Sequence, residues 1–560
     1  MRDRVEYEWR LLILTLILCI AVLGLIGRIV YLGVIKHSFL LDQGNIRSVR
    51  EISIHAHRGI ITDRNGEPLA ISVSVASVWV NPKTYNATIS QENNLSQLLK
   101  LPLKTIKRKI TAQKHREFVY LKRAIPLEQT EKIMALHIPG IFLEKGYKRY
   151  YPEGAAVAQV IGFTNIDDCG QEGIELAYDA WLRGIPGKTR VVKDRLGNTI
   201  TNLDVINEPQ QGRDLTLSID RRIQYLAYNE LKNAIEKHHA ESGSVVVLAV
   251  KTGEVLAMAN SPSYNPNNRT NVATSSLRNR AVTDLFEPGS TIKAFTIANA
   301  LASGKYNEKS LVDTNPGVLK VEGNPHPIQD DNRRNNGVLT VKGVLQKSSN
   351  IGVAKITLSL PSDNLLQLLR NVGFGQSTQS GFPGEAVGFL PKTLRGRAFV
   401  LATLSFGYGI STTMLQLVEA YAVIASKGIL RPVTFLKVDK LVSGQQVLSA
   451  KVSHKMLEML EAVLDIGGTG RRAQIPGYRV AGKTGTAYIV SPKGGYYKDR
   501  YFATFLGVAP VSDPQLIVGV IVKNPKGLYH GSQVAAPVFV NIMNGALRIL
   551  GIPLDNAENI

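Results

Sequence analysis

Residues Leu11 to Gly27, LLILTLILCIAVLGLIG, carry no charge, and no other run limits the chain so strongly. This stretch is near the minimum length for a membrane-spanning helix. With the apolar residues after Arg28 it extends over 11–35, about 25 residues, enough for a full span if the Arg28 side chain snorkels to the interface. Tyr31 suits an interfacial position. The chain continues YLGVIKHSF without a small-x-small cleavage site, which favours an uncleaved anchor over a cleaved signal peptide. Residues 1–10 would form a short tail. Orientation is not set by charge, because Arg2, Arg4 and Arg10 before the run are matched by Arg28, Lys36, Arg47 and Arg50 after it. More than 500 of the 560 residues follow the anchor on one side.

That remainder is too long for one typical core and predicts two or three domains. With 44% hydrophobic and 20% charged residues, the whole chain reads as globular rather than disordered. The formal net charge of +21 fits an anionic membrane surface or an anionic polymer such as a cell wall. Lys and Arg are spread along the chain, and zinc-finger spacing and RNP-type aromatic motifs are both missing, which argues against nucleic acid. The only cysteines are Cys19, inside the apolar run, and Cys169, so disulfide stapling is not expected. Neither a Cys-rich cluster nor an HExxH pattern occurs, so no metal or other cofactor is implied.

After the anchor, Asp63-Arg-Asn-Gly66 sits between apolar runs and predicts a β-hairpin turning at Asn65-Gly66. Residues of about 90–137 have helical apolar spacing, interrupted by the strand-like Phe118-Val-Tyr-Leu. This small, mixed, basic part suggests a docking module without chemistry. Glycine-rich turns punctuate Cys169 to Gly197. Asp214 to Asp220 alternates like a strand, Arg221 to Ile235 like an amphipathic helix, and a domain boundary is expected near 220. Beyond it, Ser244 to Ala259 reads as two strands around a turn at Lys251-Thr-Gly-Glu254. Val480–Ile489, Ala503–Ala509 and Leu516–Val522 read as further strands. The last two are joined by so short a turn that they must be antiparallel. The fold class is multidomain α+β: an anchor at 11–35, a mixed α/β pedestal at 36–219, and a C-terminal domain at 220–560 with an antiparallel sheet packed between helices.

Three short elements could carry chemistry. In Glu287-Pro-Gly-Ser290-Thr-Ile-Lys293, Pro288-Gly289 breaks structure and a helical run follows, so Ser290 sits at a helix start with Lys293 three residues on, within reach of its hydroxyl. A serine attacks only once a base takes its proton, and a lysine serves only if burial lowers its pKa. Lys347-Ser348-Ser349-Asn350 supplies a hydroxyl and an amide two residues apart at a loop-to-helix transition. Gly482-Lys483-Thr484-Gly485-Thr486 offers a cation, hydroxyl donors and glycines that let a substrate backbone approach a strand edge. Singly, each could be helix capping or an ordinary turn, and Lys251-Thr252-Gly253 is a second KTG without the flanking residues. In this order, with gaps of about 60 and 135 residues, they follow the S-x-x-K, S-D-N, K-T-G set of penicillin-binding proteins and class A β-lactamases, with Ser349 in place of the aspartate.

The sequence resembles the class B penicillin-binding proteins over nearly its whole length. RGIITDRNGEPLA from Arg58, GQEGIE ending at Glu175, DLTLSID from Asp214 and SFGYGISTTMLQL from Ser405 all share the likeness, which is strongest to the division-specific branch. The resemblance implies a serine β-lactamase-like penicillin-binding domain and a septal peptidoglycan D,D-transpeptidase on the periplasmic side of the inner membrane. Ser290 would be the nucleophile, Lys293 its base, Ser348 a proton donor to the leaving amine, and Asn350 a holder of donor peptide and Lys293. Lys483, with Thr484 and Thr486, would bind the terminal carboxylate of the donor, Gly485 would belong to the same substrate-binding strand, and the N–H groups of Ser290 and Thr486 would form the oxyanion hole. Implied partners are D-alanyl-D-alanine stem peptides with an amine acceptor, β-lactams, and, through the anchor and pedestal, the SEDS glycosyltransferase FtsW and other divisome proteins. The elongation-specific relative is the alternative. A β-lactamase or D,D-carboxypeptidase fits less well, because Ser349 stands where class A β-lactamases have aspartate and no water-activating glutamate is identifiable.

Overall fold

The computed structural model describes residues 2–194, 199–323, 326–394, 397–441 and 443–556. Gly197 and the side chains of Arg2, Arg4 and Arg47 lie outside the described residues. The chain packs as two compact units whose boundaries cut across the linear order. One comprises 1–57, 74–147 and 184–212, and the other 58–73, 148–183 and 213–560.

The smaller unit contains the apolar helix. Arg2–Val30 is α-helical and runs on through a π-turn, Tyr31–Ile35. The 29 residues Tyr7–Ile35 are long and apolar enough to cross a membrane. Val75–Val80 pairs antiparallel with Val119–Pro126, the strand expected between the helical stretches. Helices Ile89–Leu99, Leu103–Thr111 and Leu127–Met134 close a core of Val78, Val80, Leu95, Leu99, Ile106, Leu121 and Ile133. A separate antiparallel sheet joins Val49–Ile54, Gly187–Lys193 and Thr199–Asn207.

The larger unit is built on one antiparallel sheet in the order Val255–Ser261, Ser242–Ala249, Leu516–Lys523, Tyr496–Ala509, Ala481–Val490. Adjacent residues of a strand point to opposite faces, and two glycines show what covers each. A Cβ on Gly507 would lie 2.4 Å from Phe539, in helix Gly531–Ile549. One on Gly519, which pairs with Leu506 and so points the other way, would lie 2.5 Å from Val418, in helix Met414–Ala425. Helices thus cover both faces, as the continuous apolar runs of these strands predict. Gly531–Ile549 packs with Arg221–Lys237 on one side, and Met414–Ala425 with Ala450–Glu461 on the other.

The strand expected over Asp214–Asp220 is short. Only Leu215–Thr216 pairs as a strand, in parallel with Ile61–Thr62. Beyond it the backbone turns to distant partners, Ser218 N donating to Phe435 O and Asp220 N to Leu256 O, each at 2.8 or 2.9 Å.

The RGIITDRNGEPLA and GQEGIE segments meet through charge. Arg58 is fully buried, and its Nε donates to Glu175 Oε2 at 2.7 Å and its Nη1 to Asp179 Oδ1 at 2.7 Å. Arg149 Nε donates to the other Glu175 oxygen at 2.6 Å. Buried charges persist only when paired in this way, and removing one partner of such a pair typically costs about 3–5 kcal/mol.

Candidate active site

A turn, a helix-capping loop and a sheet-edge strand bring the three short elements together. Gly289–Ile292 forms a single 3₁₀ turn that leads directly into helix Lys293–Ala302. Ser290 lies in that turn, half-buried, at the start of the helix as expected. It is not a cap: the caps of this turn and of the helix make no side-chain hydrogen bond. The turn is possible because Gly289 and Gly407 meet backbone to backbone. Gly289 N donates to Gly407 O at 3.2 Å, and a Cβ on Gly407 would fall 2.1 Å from Gly289 O. The SFGYG segment is therefore the bed on which the serine turn lies.

In the second element the two serines divide the work. Ser349 caps helix Asn350–Leu358, accepting from Gly352 N at 2.9 Å and donating to Asp330 Oδ2 at 2.7 Å. Ser348 is left with its hydroxyl free of capping and its backbone in the left-handed region, φ 56°. Asp330 fixes this loop further by accepting from Ile351 N at 3.0 Å and from Asn336 Nδ2 at 2.6 Å. Sequence reasoning missed Asp330, because one aspartate without a motif gives no signal until the fold brings it under the loop.

The third element lies on the last strand of the sheet, Ala481–Val490, which has a sheet neighbour on one side only. Its open edge lies against the serine turn. A Cβ on Gly485 would come 2.9 Å from Thr291 Cγ2 and 3.3 Å from Pro288 O, and one on Gly289 would come 3.4 Å from Thr486 O. Glycine at 485 permits this close approach. Thr484 Oγ1 donates to Thr469 Oγ1 at 3.1 Å, and Thr486 Oγ1 accepts from Gly531 N at 3.2 Å.

Two fully buried lysines meet at Ser348. Lys293 Nζ contacts Ser348 O at 2.6 Å, Ser348 Oγ at 3.1 Å and Asn350 Oδ1 at 2.6 Å. Lys483 Nζ contacts the same Ser348 Oγ at 3.0 Å and Thr484 O at 3.1 Å. A hydroxyl both donates and accepts, so Ser348 can link one charged amine to one neutral amine. Burial lowers the Lys293 pKa to about 7, with the charges of Asp330 and Asp331 pulling the other way. Lys483 is held well below the ordinary lysine range, first by burial and then by the charge of Lys293. Half-neutral near pH 7, Lys293 has the property a base needs. The expected contact between Lys293 and the Ser290 hydroxyl is not among its hydrogen bonds: three acceptors from the Ser348–Asn350 loop already occupy the amine.

Glu287, three residues before Ser290, accepts from Gly409 N at 2.9 Å and from Tyr496 OH at 3.2 Å, and burial raises its pKa. The second KTG, at Lys251, sits in the turn between Ser242–Ala249 and Val255–Ser261, its amine 2.8 Å from Asp513. Among the described residues no cluster of three or more His, Cys, Asp or Glu is arranged to hold a metal.

The family model of the penicillin-binding protein transpeptidase domain matches residues 243–544, and that of the penicillin-binding protein dimerisation domain matches 53–217. The chain belongs to the class B penicillin-binding proteins. Among its relatives in that family, the peptidoglycan D,D-transpeptidase FtsI of Escherichia coli K12 is 42% identical over 98% of this chain and 93% of its own length. PbpC of Pseudomonas aeruginosa is also 42% identical, over 99% of this chain and 97% of its own. Among solved structures, penicillin-binding protein 3 of Mycobacterium tuberculosis, complexed with aztreonam, is 27% identical with a TM-score of 0.70, covering 90% of this chain and 98% of that one. The transpeptidase domain of penicillin-binding protein 3 from Burkholderia pseudomallei is 41% identical with a TM-score of 0.55, covering 60% of this chain and 97% of that domain. All three short elements of this penicillin-binding protein, from Ser290 to Thr486, fall inside the transpeptidase match.

Proposed function

We propose that this protein is the septal peptidoglycan D,D-transpeptidase of its cell, acting through an acyl-enzyme on Ser290. Ser290 Oγ attacks the carbonyl of the penultimate D-alanine of a pentapeptide stem as Lys293 takes its proton. The tetrahedral oxyanion is met by the N–H groups of Ser290 and Thr486. Ser348 delivers a proton to the departing D-alanine amine. Lys483, Thr484 and Thr486 hold the terminal carboxylate, Gly485 lets the peptide approach the strand, and Asn350 positions the donor and Lys293. An amine of a neighbouring stem then attacks the ester, which forms the cross-link and restores Ser290. β-Lactams acylate the same oxygen.

One observation carries this reading: Lys293, three residues from Ser290, is fully buried, bound by Ser348 and Asn350, and near half-deprotonated at neutral pH. The septal role is supported by the identity to relatives named FtsI. The apolar helix would anchor the protein once in the inner membrane, with residues 36–219 as a partner-docking pedestal for FtsW and other divisome proteins and 220–560 as the periplasmic catalytic domain.

The test is mass spectrometry of the full-length protein after reaction with a fluorescent penicillin. A single long-lived adduct on the peptide containing Ser290 is expected, absent from Ser290→Ala. Label on another residue would overturn the site, and rapid release of hydrolysed drug would overturn the transpeptidase. A fluorescent fusion gathering along the side wall rather than at midcell would favour the elongation-specific relative.

A further inference from the structure

The larger unit holds a second cavity of about 330 Å³, whose wall includes Phe286, four residues before Ser290, and none of the residues from Ser290 to Thr486 assigned roles above. Three cations line it: Arg278, Arg280 and Lys523. Two are already neutralised. Arg278 Nη2 donates to Asp284 Oδ1 and Lys523 Nζ to Glu241 Oε1, both at 2.5 Å.

Arg280 differs. Its side chain is only 10% exposed, and its Nε stands 3.8 Å from Asp284 Oδ2, too far for a hydrogen bond. Nη2 donates to Ser275 O at 2.7 Å. Nη1 is buried and has no hydrogen-bond partner among the described residues. Asp284 Oδ1 already accepts from Arg278 and from Thr283 Oγ1 at 3.0 Å, and Oδ2 meets Arg280 only as a long ion pair, with no hydrogen bond. A buried guanidinium nitrogen without an acceptor is unfavourable unless something supplies one. Besides the polar Ser242, Ser244, Thr283 and Asp284, the wall has an apolar side: Phe286 and Phe502, with ring centres 5.7 Å apart, together with Met414 and Leu285.

We propose that this cavity is a binding site for a small carboxylate carried on an apolar stem. The carboxylate accepts from Arg280, which is the residue type suited to planar anions, and the stem lies against Phe286, Phe502 and Met414. Asp284 in the same wall disfavours a second negative charge, which selects a carboxylate over a phosphate. Because Phe286 exchanges backbone hydrogen bonds with Thr412 and leads straight into the Ser290 turn, an occupant touches the segment that carries the nucleophile.

The probe is 4-(trifluoromethyl)phenylacetate, followed by fluorine NMR on the full-length protein in detergent micelles. Saturable line broadening is expected. Arg280→Leu should weaken it about tenfold or more, the usual effect of losing a charge-assisted hydrogen bond. Arg280→Lys, which keeps the charge and loses the fork, should fall between the two and serves if leucine is not tolerated. Uptake of penicillin at Ser290 shows that each variant is folded. Broadening should persist in protein already acylated at Ser290. The proposal is overturned if folded Arg280 variants bind the probe like the parent, if the neutral 4-(trifluoromethyl)phenethyl alcohol broadens equally, or if acylation of Ser290 abolishes the signal.

Discussion

The amine of Lys293 donates to the side-chain carbonyl of Asn350 across 2.6 Å. The amide binds the amine without adding charge, which leaves burial free to hold Lys293 near pKa 7. As the proposed base, Lys293 could accept the Ser290 proton only as a neutral amine, so acylation by a fluorescent penicillin should rise with pH and reach half its plateau near pH 7. Asn350→Asp puts an anion beside the ammonium and favours the charged form. The midpoint should then move to higher pH by about one unit or more, with acylation at pH 7 falling about tenfold. An unmoved midpoint would show that Lys293 is not the titrating base.

Asp330→Asn should shift the same midpoint the other way. The charge of Asp330 supports the ammonium form of Lys293, so neutralising it favours the free amine and carries the profile to lower pH. The amide also places donors where Asn336 Nδ2 and Ser349 Oγ donate to the carboxylate. A loss of about 1–3 kcal/mol in folding stability is expected. Thermal melting and acylation pH profiles on one preparation separate the two effects.

Ser348→Gly should divide stability from activity. The residue holds φ 56°, a conformation that costs a side-chain-bearing residue about 1–2 kcal/mol and glycine little. That relief offsets the hydroxyl's lost contacts with two lysines, so the melting temperature should stay within about 5 °C of the parent. Acylation should nevertheless fall at least about a hundredfold, the usual scale of a lost proton-transfer group. A variant that melts normally and acylates normally would remove Ser348 from the chemistry.

Gly407→Ala should fail on both counts. Its backbone is at φ 91°, and the new methyl would lie 2.1 Å from Gly289 O. The serine turn must move or the variant must unfold. We expect a loss of about 3 kcal/mol or more, and in whatever remains folded a reaction with penicillin slowed by at least about tenfold. Differential scanning fluorimetry with and without penicillin reads both.

The sequence made the chemistry legible where it is local. Ser348 and Asn350 are close neighbours at a helix start and both reach Lys293, whereas the spacing of Ser290 and Lys293 places them on one turn without the hydrogen bond it suggested. Asn65-Gly66 likewise announced its hairpin, since Ile61 pairs with Ala70 across that turn. What stayed hidden depends on contacts between distant residues. Nothing in Ser348-Ser349 says which serine caps the helix until Asp330 is seen holding Ser349. Arg58 and Glu175 lie 117 residues apart, so their segments could be matched to a family but not to each other. Asp214–Asp220 has a strand's alternation, yet beyond Thr216 its backbone partners are set by the tertiary fold, which an alternating pattern does not reveal.

The hydroxyl of Ser348, shared by two buried amines, makes loading the site a matter of counting protons. Burial and mutual repulsion leave the empty site short of the two protons that free lysines would carry at neutral pH. On the proposed roles, a carboxylate arriving at Lys483 would favour its ammonium form and would draw in a proton from the solvent. Substrate capture would then be a protonation event, and the heat of binding, measured on Ser290→Ala, should vary with the ionisation enthalpy of the buffer. The departing D-alanine amine needs one proton, and in the proposed relay the donor's own arrival would bring one in.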